Sequence, residues 1–79
     1  MNQDSFNIHM TDGQLLLEYA PSCDRTMYDI CDIHGRVIKT GAITSQETRV
    51  DVTDMFSARY VILIVDGDRM VKKQFTLAA

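Results

Sequence analysis

Six consecutive apolar residues, Tyr60-Val61-Ile62-Leu63-Ile64-Val65, four of them β-branched, constrain this chain more than any other feature. β-Branched side chains lose little rotamer freedom on a pleated surface and more in a helix, and six residues is strand length rather than helix length. The run ends at Asp66-Gly67, a strong turn signal. It predicts a central, largely buried β-strand. With 79 residues the chain has room for one core, and a domain that small buries only about 60% of its unfolded surface. Every other segment must therefore help to cover that strand.

The flanking sequence alternates. Phe6, Ile8 and Met10 recur at period two, Thr11-Asp12-Gly13-Gln14 interrupts, and Leu15-Leu16-Leu17-Glu18-Tyr19 follows. Asp-Gly between apolar runs predicts a hairpin whose turn has positive φ at both central residues. Residues 20–25, with the only proline, Pro21, read as a loop. Residues 27–33 place Tyr28 and Ile30 on one face and Asp29 and Cys31 on the other, and Gly35 holds the positive-φ position of the next turn, before a strand over 36–40. After the polar stretch 44–47, residues 48–52 turn Val50 and Val52 one way and Arg49 and Asp51 the other. Thr53-Asp54-Met55-Phe56-Ser57 is expected to form a single helical turn, with Met55 or Phe56 plugging one end of the core. Residues 70–77 close a hairpin with the central strand and set Val71, Lys73, Phe75 and Leu77 on one face. The reading is all-β: a small seven-stranded antiparallel immunoglobulin-like sandwich over residues 5–79, preceded by a flexible leader at 1–4.

One property exceeds what a simple sandwich asks. A strand with one wet face should alternate, yet Val61, Leu63 and Val65 back Tyr60, Ile62 and Ile64 with a second apolar face. Either neighbouring loops cover it, or it is an interface for a second copy or another partner.

Composition narrows the function classes. A net charge of −3 lacks the concentrated positive field that nucleic-acid binding needs. The charge is uneven: residues 1–34 hold six acids and one base, residues 35–79 seven bases and five acids, with Arg69, Lys72 and Lys73 clustered near the end. A solvated strand edge explains such a cluster, and partner docking is its functional counterpart. Cys23 and Cys31 are too few for a disulfide framework, and no histidine lies at zinc-ligand spacing from them. No apolar run reaches the roughly 18 residues of a membrane span, and Met1-Asn2-Gln3-Asp4 has neither the basic start nor the apolar stretch of a signal peptide. His9 and His34 are 25 residues apart, and no phosphate loop, nucleophile elbow or zincin helix is present. Turn chemistry accounts for Asp66-Gly67-Asp68 better than a calcium site, which needs six or more oxygens. No catalytic residue, metal or cofactor is expected.

Four segments in order resemble a known family. Tyr28-Asp29-Ile30-Cys31-Asp32-Ile33-His34-Gly35-Arg36-Val37-Ile38-Lys39 is similar to the strand–Asp–apolar–x–Gly–Arg–x–apolar signature of type A C-terminal sorting domains of the Bacteroidetes type IX secretion system. Arg49-Val50-Asp51-Val52-Thr53-Asp54-Met55 resembles their Ile-Asp-Val-Ser-x-Leu segment, and Ala58-Arg59-Tyr60 stands where they carry Gly-x-Tyr before an apolar strand. Residues 70–77, with Lys72, Lys73 and Phe75, resemble their closing basic-aromatic strand. Asp32, Gly35, Arg36, Ala58 and Tyr60 carry the motif match, and Ala58 in place of glycine implies negative φ at that position or a bend moved to a neighbour. The resemblance implies an address label without catalytic residues, at the C-terminus of a covalently linked cargo that passes through the periplasm to the cell surface or medium. A protease commonly removes such a label; family practice puts its cut at or before residues 1–5. The implied partners are the secretion machinery proteins of the outer membrane, with Arg69, Lys72, Lys73 and Phe75 as the recognition candidates. The two-sided apolar strand supports a different reading, an immunoglobulin-like binding or signalling module of a cell-envelope protein.

Overall fold

The structure, a computed structural model, describes residues 6–78. These form β1 (Asn7–Thr11), β2 (Gln14–Glu18), β3 (Met27–Cys31), β4 (Val37–Ala42), β5 (Glu47–Asp51), β6 (Ala58–Asp66) and β7 (Arg69–Leu77). Two antiparallel sheets result, ordered β1-β2-β5 and β4-β3-β6-β7. This is the expected seven-stranded immunoglobulin-like sandwich, with β4 staying beside β3. The leader expected at 1–4, the domain start at residue 5 and the cleavage region lie outside the described residues.

The apolar run becomes the inner half of β6, paired with β3 on one side and β7 on the other. Tyr60, Ile62 and Ile64 point into the core, where they meet Tyr28 and Ile30 of β3 and, from the opposite sheet, Leu15, Leu17 and Val50. Phe6, Tyr19, Ile43 and Val52 close the ends, with the rings of Phe6 and Tyr19 edge to face at 6.2 Å. Val61, Leu63 and Val65 are half-buried on the outer face. The register sets Cys31, Asp29 and Met27 of β3 beside them on one side, and Gln74, Lys72 and Met70 of β7 on the other; the stems of such long side chains shield apolar neighbours.

Two local expectations need correction. Asp12-Gly13 is a two-residue turn, closed by the Thr11–Gln14 pair, but only Gly13 has positive φ (73°). Its turn is therefore not the doubly left-handed type. Residues 53–57 form no helical turn. The Asp51 carboxylate accepts the Thr53 N–H (3.0 Å) and hydroxyl (2.7 Å), and the Met55 N–H donates to the Val52 carbonyl at 3.1 Å. This Asx turn bends the chain before a helix can start. Met55 packs against the core as expected, whereas Phe56 is 86% exposed. The Tyr60 hydroxyl holds the Phe56 carbonyl at 2.7 Å, fixing its backbone while the ring faces outward.

Each open side of the sandwich is bridged by a lysine from an edge strand. On β4, the Lys39 ammonium donates to the Asp51 carbonyl of β5 (2.8 Å) and to Asp54 Oδ1 (2.9 Å). On β7, the Lys73 ammonium donates to the Phe6 carbonyl (2.7 Å) and sits 5.9 Å from the Phe6 ring centre. A charge on the inner face of an edge strand is also a known device against strand-to-strand aggregation.

Candidate functional site

The closing hairpin carries the sequence-level candidates, and strand parity divides them. β7 pairs with β6 over its full length, from Asp66–Arg69 to Ala58–Leu77, and lies at the edge of its sheet. Its second side therefore presents a row of backbone donors and acceptors with no strand beside them among the described residues. Lys72 lies on the outer face, opposite Leu63, and is exposed. Arg69 opens the strand and is also exposed. Lys73 and Phe75 share the inner parity of Val71 and Leu77: Lys73 bridges to Phe6, and the half-buried Phe75 stacks on Tyr60 at 5.6 Å and 26°. Thus only Lys72 of the four lies on the outer face; Arg69, opposite Asp66, has the inner parity at the exposed start of the strand, and Lys73 and Phe75 engage within the fold.

At the other end of the hairpin stands a group that sequence reading assigned only to a turn. Asp66 is 2% exposed, and its carboxylate accepts the Tyr19 hydroxyl (2.6 Å), the Thr26 hydroxyl (2.7 Å), the Ser22 N–H (3.0 Å) and the Cys23 thiol (3.4 Å). These donors, Tyr19 and Thr26 foremost, hold its carboxyl well below the usual range despite burial. The cluster fastens the loop over residues 19–26 to the root of the closing hairpin. The available signal was parity: Asp66 continues the inward series 60, 62, 64.

The motif residues form a second built feature. The Asp32 carboxylate accepts the N–H groups of His34 (2.9 Å) and Arg36 (3.0 Å) through Oδ1, and the Arg36 Nε–H (2.9 Å) through Oδ2. The Arg36 N–H, then the Arg36 side chain and the His34 N–H, hold that carboxyl below the usual carboxylate range. Gly35 turns the chain at φ 83°, and its N–H donates to the Asp32 carbonyl at 3.1 Å. Asp-x-x-Gly-Arg is therefore a self-capped turn, each residue type required by one contact. Ala58, opposite Leu77, has no positive φ, so alanine replaces glycine there without strain. Tyr60 is buried, between its hydroxyl bond to Phe56 and its stack on Phe75.

The histidines and cysteines lie apart from these two clusters or at their margins. His9 meets Glu18 at 2.9 Å on the surface, and His34 sits in the motif turn. Cys23 and Cys31 are free, and burial, with Asp29 and Asp32 nearby, pushes the Cys31 thiol up, away from the reactive thiolate. Among the described residues no group of three or more metal-ligating side chains occurs. What the arrangement offers is recognition surface: an open strand edge with exposed cations, on a hairpin fastened at its turn.

Comparison with known proteins agrees with the motif order. A family model described as the secretion system C-terminal sorting domain matches residues 2–77. No curated protein matches the chain.

Proposed function

The chain belongs to the family of secretion system C-terminal sorting domains, and on that premise we propose that the type IX machinery reads it through the outer edge of β7. Domains of this family are the C-terminal sorting signals of cargo proteins for type IX secretion, a role that implies attachment to cargo, contact with the secretion machinery, and export toward the cell surface or medium. The family is not catalytic, and we take this domain to act by recognition alone. The observation that carries the reading is the position of β7: a nine-residue strand at a sheet edge, paired on one side only among the described residues. An extended segment of the machinery can add to that edge through main-chain hydrogen bonds. Lys72 supplies outward charge, and Arg69 exposed charge at the start of the strand, that select an acidic partner; Lys73 and Phe75 act indirectly, by holding the strand within the fold. The label passes through the periplasm on its way out.

The test is a fusion of residues 1–79 behind a signal peptide and a reporter, in a bacterium with a working type IX system and in a translocon-deficient strain. We expect surface exposure of the reporter only in the competent strain, and a fall of tenfold or so when Arg69 and Lys72 are both changed to Glu, in line with like-charge repulsion at a docking face. Because both residues are exposed, the folded domain should persist, which circular dichroism of the purified variant checks. Unimpaired secretion by that double variant would sink the β7 reading; a reporter trapped in both strains would show that these residues do not suffice for sorting.

A further inference from the structure

At the end of the sandwich where β6 begins, a cleft of about 530 Å³ opens between the motif turn and the β5–β6 crossing, and a second of about 360 Å³ adjoins it; Asp32, Ile33 and Arg59 line both. Its apolar surface is unusually open for a small domain: Phe56 is 86% exposed, Ile33 69% and Ile38 44%. Exposed aromatic and branched side chains gathered round one concavity mark a docking site more often than chance placement does. Phe56 is also pre-arranged. Its carbonyl is held by the Tyr60 hydroxyl, and the preceding turn by the Met55–Val52 bond, so an incoming ligand need not order this backbone.

The electrostatics of the cleft select the ligand. Arg59 has no hydrogen-bond or ion-pair partner among the described residues, and it stands on the ridge between the two hollows. Arg36 spends one nitrogen, Nε, on Asp32, leaving the rest of its fork open on a side chain 75% exposed. The carboxylate of Asp32 is already filled by three N–H donors. An unpaired guanidinium beside an exposed phenyl ring matches a carboxylate next to an apolar side chain, since the guanidinium fork pairs carboxylates in two-point fashion.

We propose that this cleft is a second docking site of the domain, for an extended peptide segment of a partner protein that carries an Asp or Glu beside aromatic or aliphatic residues, the carboxylate on Arg59 and Arg36 and the apolar side chain on Phe56, Ile33 and Ile38. Of β7 only Gln74 lines either hollow, and the site does not depend on how the open edge of that strand is used. A nucleic acid does not fit it, because two guanidiniums over an apolar floor fall short of a phosphate track. The two hollows together suit a segment of a few residues rather than a flat protein face.

The experiment is a selection of random peptides displayed on phage against residues 1–79, followed by titration of the enriched peptides into wild-type, Phe56→Ser, Arg59→Ala and, as a control four pairs farther along the β6–β7 ladder, Lys72→Ala protein, monitored by amide chemical shifts. We expect enriched sequences with Asp or Glu next to Phe, Leu or Ile, shifts centred on residues 33–38 and 56–60, and affinity at least tenfold weaker in the Phe56→Ser and Arg59→Ala variants but unchanged in Lys72→Ala. Gln in place of the acid should weaken binding similarly. No enrichment, enriched peptides without an acid, equal affinity for all variants, or shifts confined to β7 would each overturn the assignment. Concentration-dependent shifts at 33–38 and 56–60 without any peptide would overturn it in favour of self-association. All three altered residues are exposed, so their spectra report on binding by a folded domain, and no outcome depends on secretion.

Discussion

Asp66 does more for this fold than its place next to a glycine suggests. Its carboxylate is buried and fully donated to, so it stays ionised in the folded state and its acidity is set by the Tyr19 and Thr26 hydroxyls before anything else. A carboxyl lowered on folding contributes stability that is present above the unfolded value, near pH 4, and is lost as pH falls through the folded value. Asp32 and Asp51, lowered by the Arg36 N–H and the Thr53 hydroxyl respectively, act in the same direction. Thermal melts should therefore hold steady from about pH 8 to pH 5 and fall below about pH 4. Asp66→Asn should melt lower than wild type at pH 7, because an amide cannot accept from all four donors, and its decline in acid should be shallower. A parallel decline for variant and wild type would remove Asp66 from this role. At this scale the sequence was only partly legible. The parity of Asp66 placed it inward, but its donors come from residues 40 to 47 positions away, and a turn signal explained the same letters at no cost. Gly35 was legible because its need is local.

Among the elements, strands and their pairing followed from alternation, and β6 from its β-branched run. The crossing at 53–57 did not, because a polar residue ahead of two apolar ones suits a helix cap and an Asx turn equally, and the Asp51 side chain decided between them. The same limit applies to Lys73. Period two put it on the inner face with Val71, Phe75 and Leu77, which already argued against free contact with a partner, while the resemblance to a basic closing strand argued for it. In the structure an edge strand lets the inward lysine reach the rim and bond the Phe6 carbonyl. Lys73→Met should lower stability by about 0.5–1 kcal/mol, the worth of one hydrogen bond near solvent, and speed amide exchange in β7. Lys72→Met, on the outer face, should stay within about 0.5 kcal/mol of wild type. Equal effects in denaturant melts would show that the bridge to Phe6 contributes nothing.

For the molecule as a whole, the sandwich, its seven strands and its family were legible, because each rests on patterns spread over the chain. The cleft around Phe56 and Arg59 was not, since it depends on how two distant turns meet. A chain of this size should have a stability of about 4–12 kcal/mol, and one central strand supports most of the core. Ile62, fully buried and flanked by β3 and β7, is the sharpest probe: Ile62→Ala should cost about 2–5 kcal/mol, enough to leave a sizeable unfolded fraction at 37 °C. A loss below about 1 kcal/mol in urea melts would mean that the core is far more forgiving than this packing implies.

The one-sided pairing of β7 also gives the domain a mechanical grain. A force drawn sideways on Leu77 opens the β6–β7 ladder one pair after another, like a zipper, until it reaches Asp66 and its four donors. The same force drawn along the strand loads every pair at once. The tail can thus be peeled at low tension by whatever grips its end, while a pull in line with the strand meets the whole ladder together.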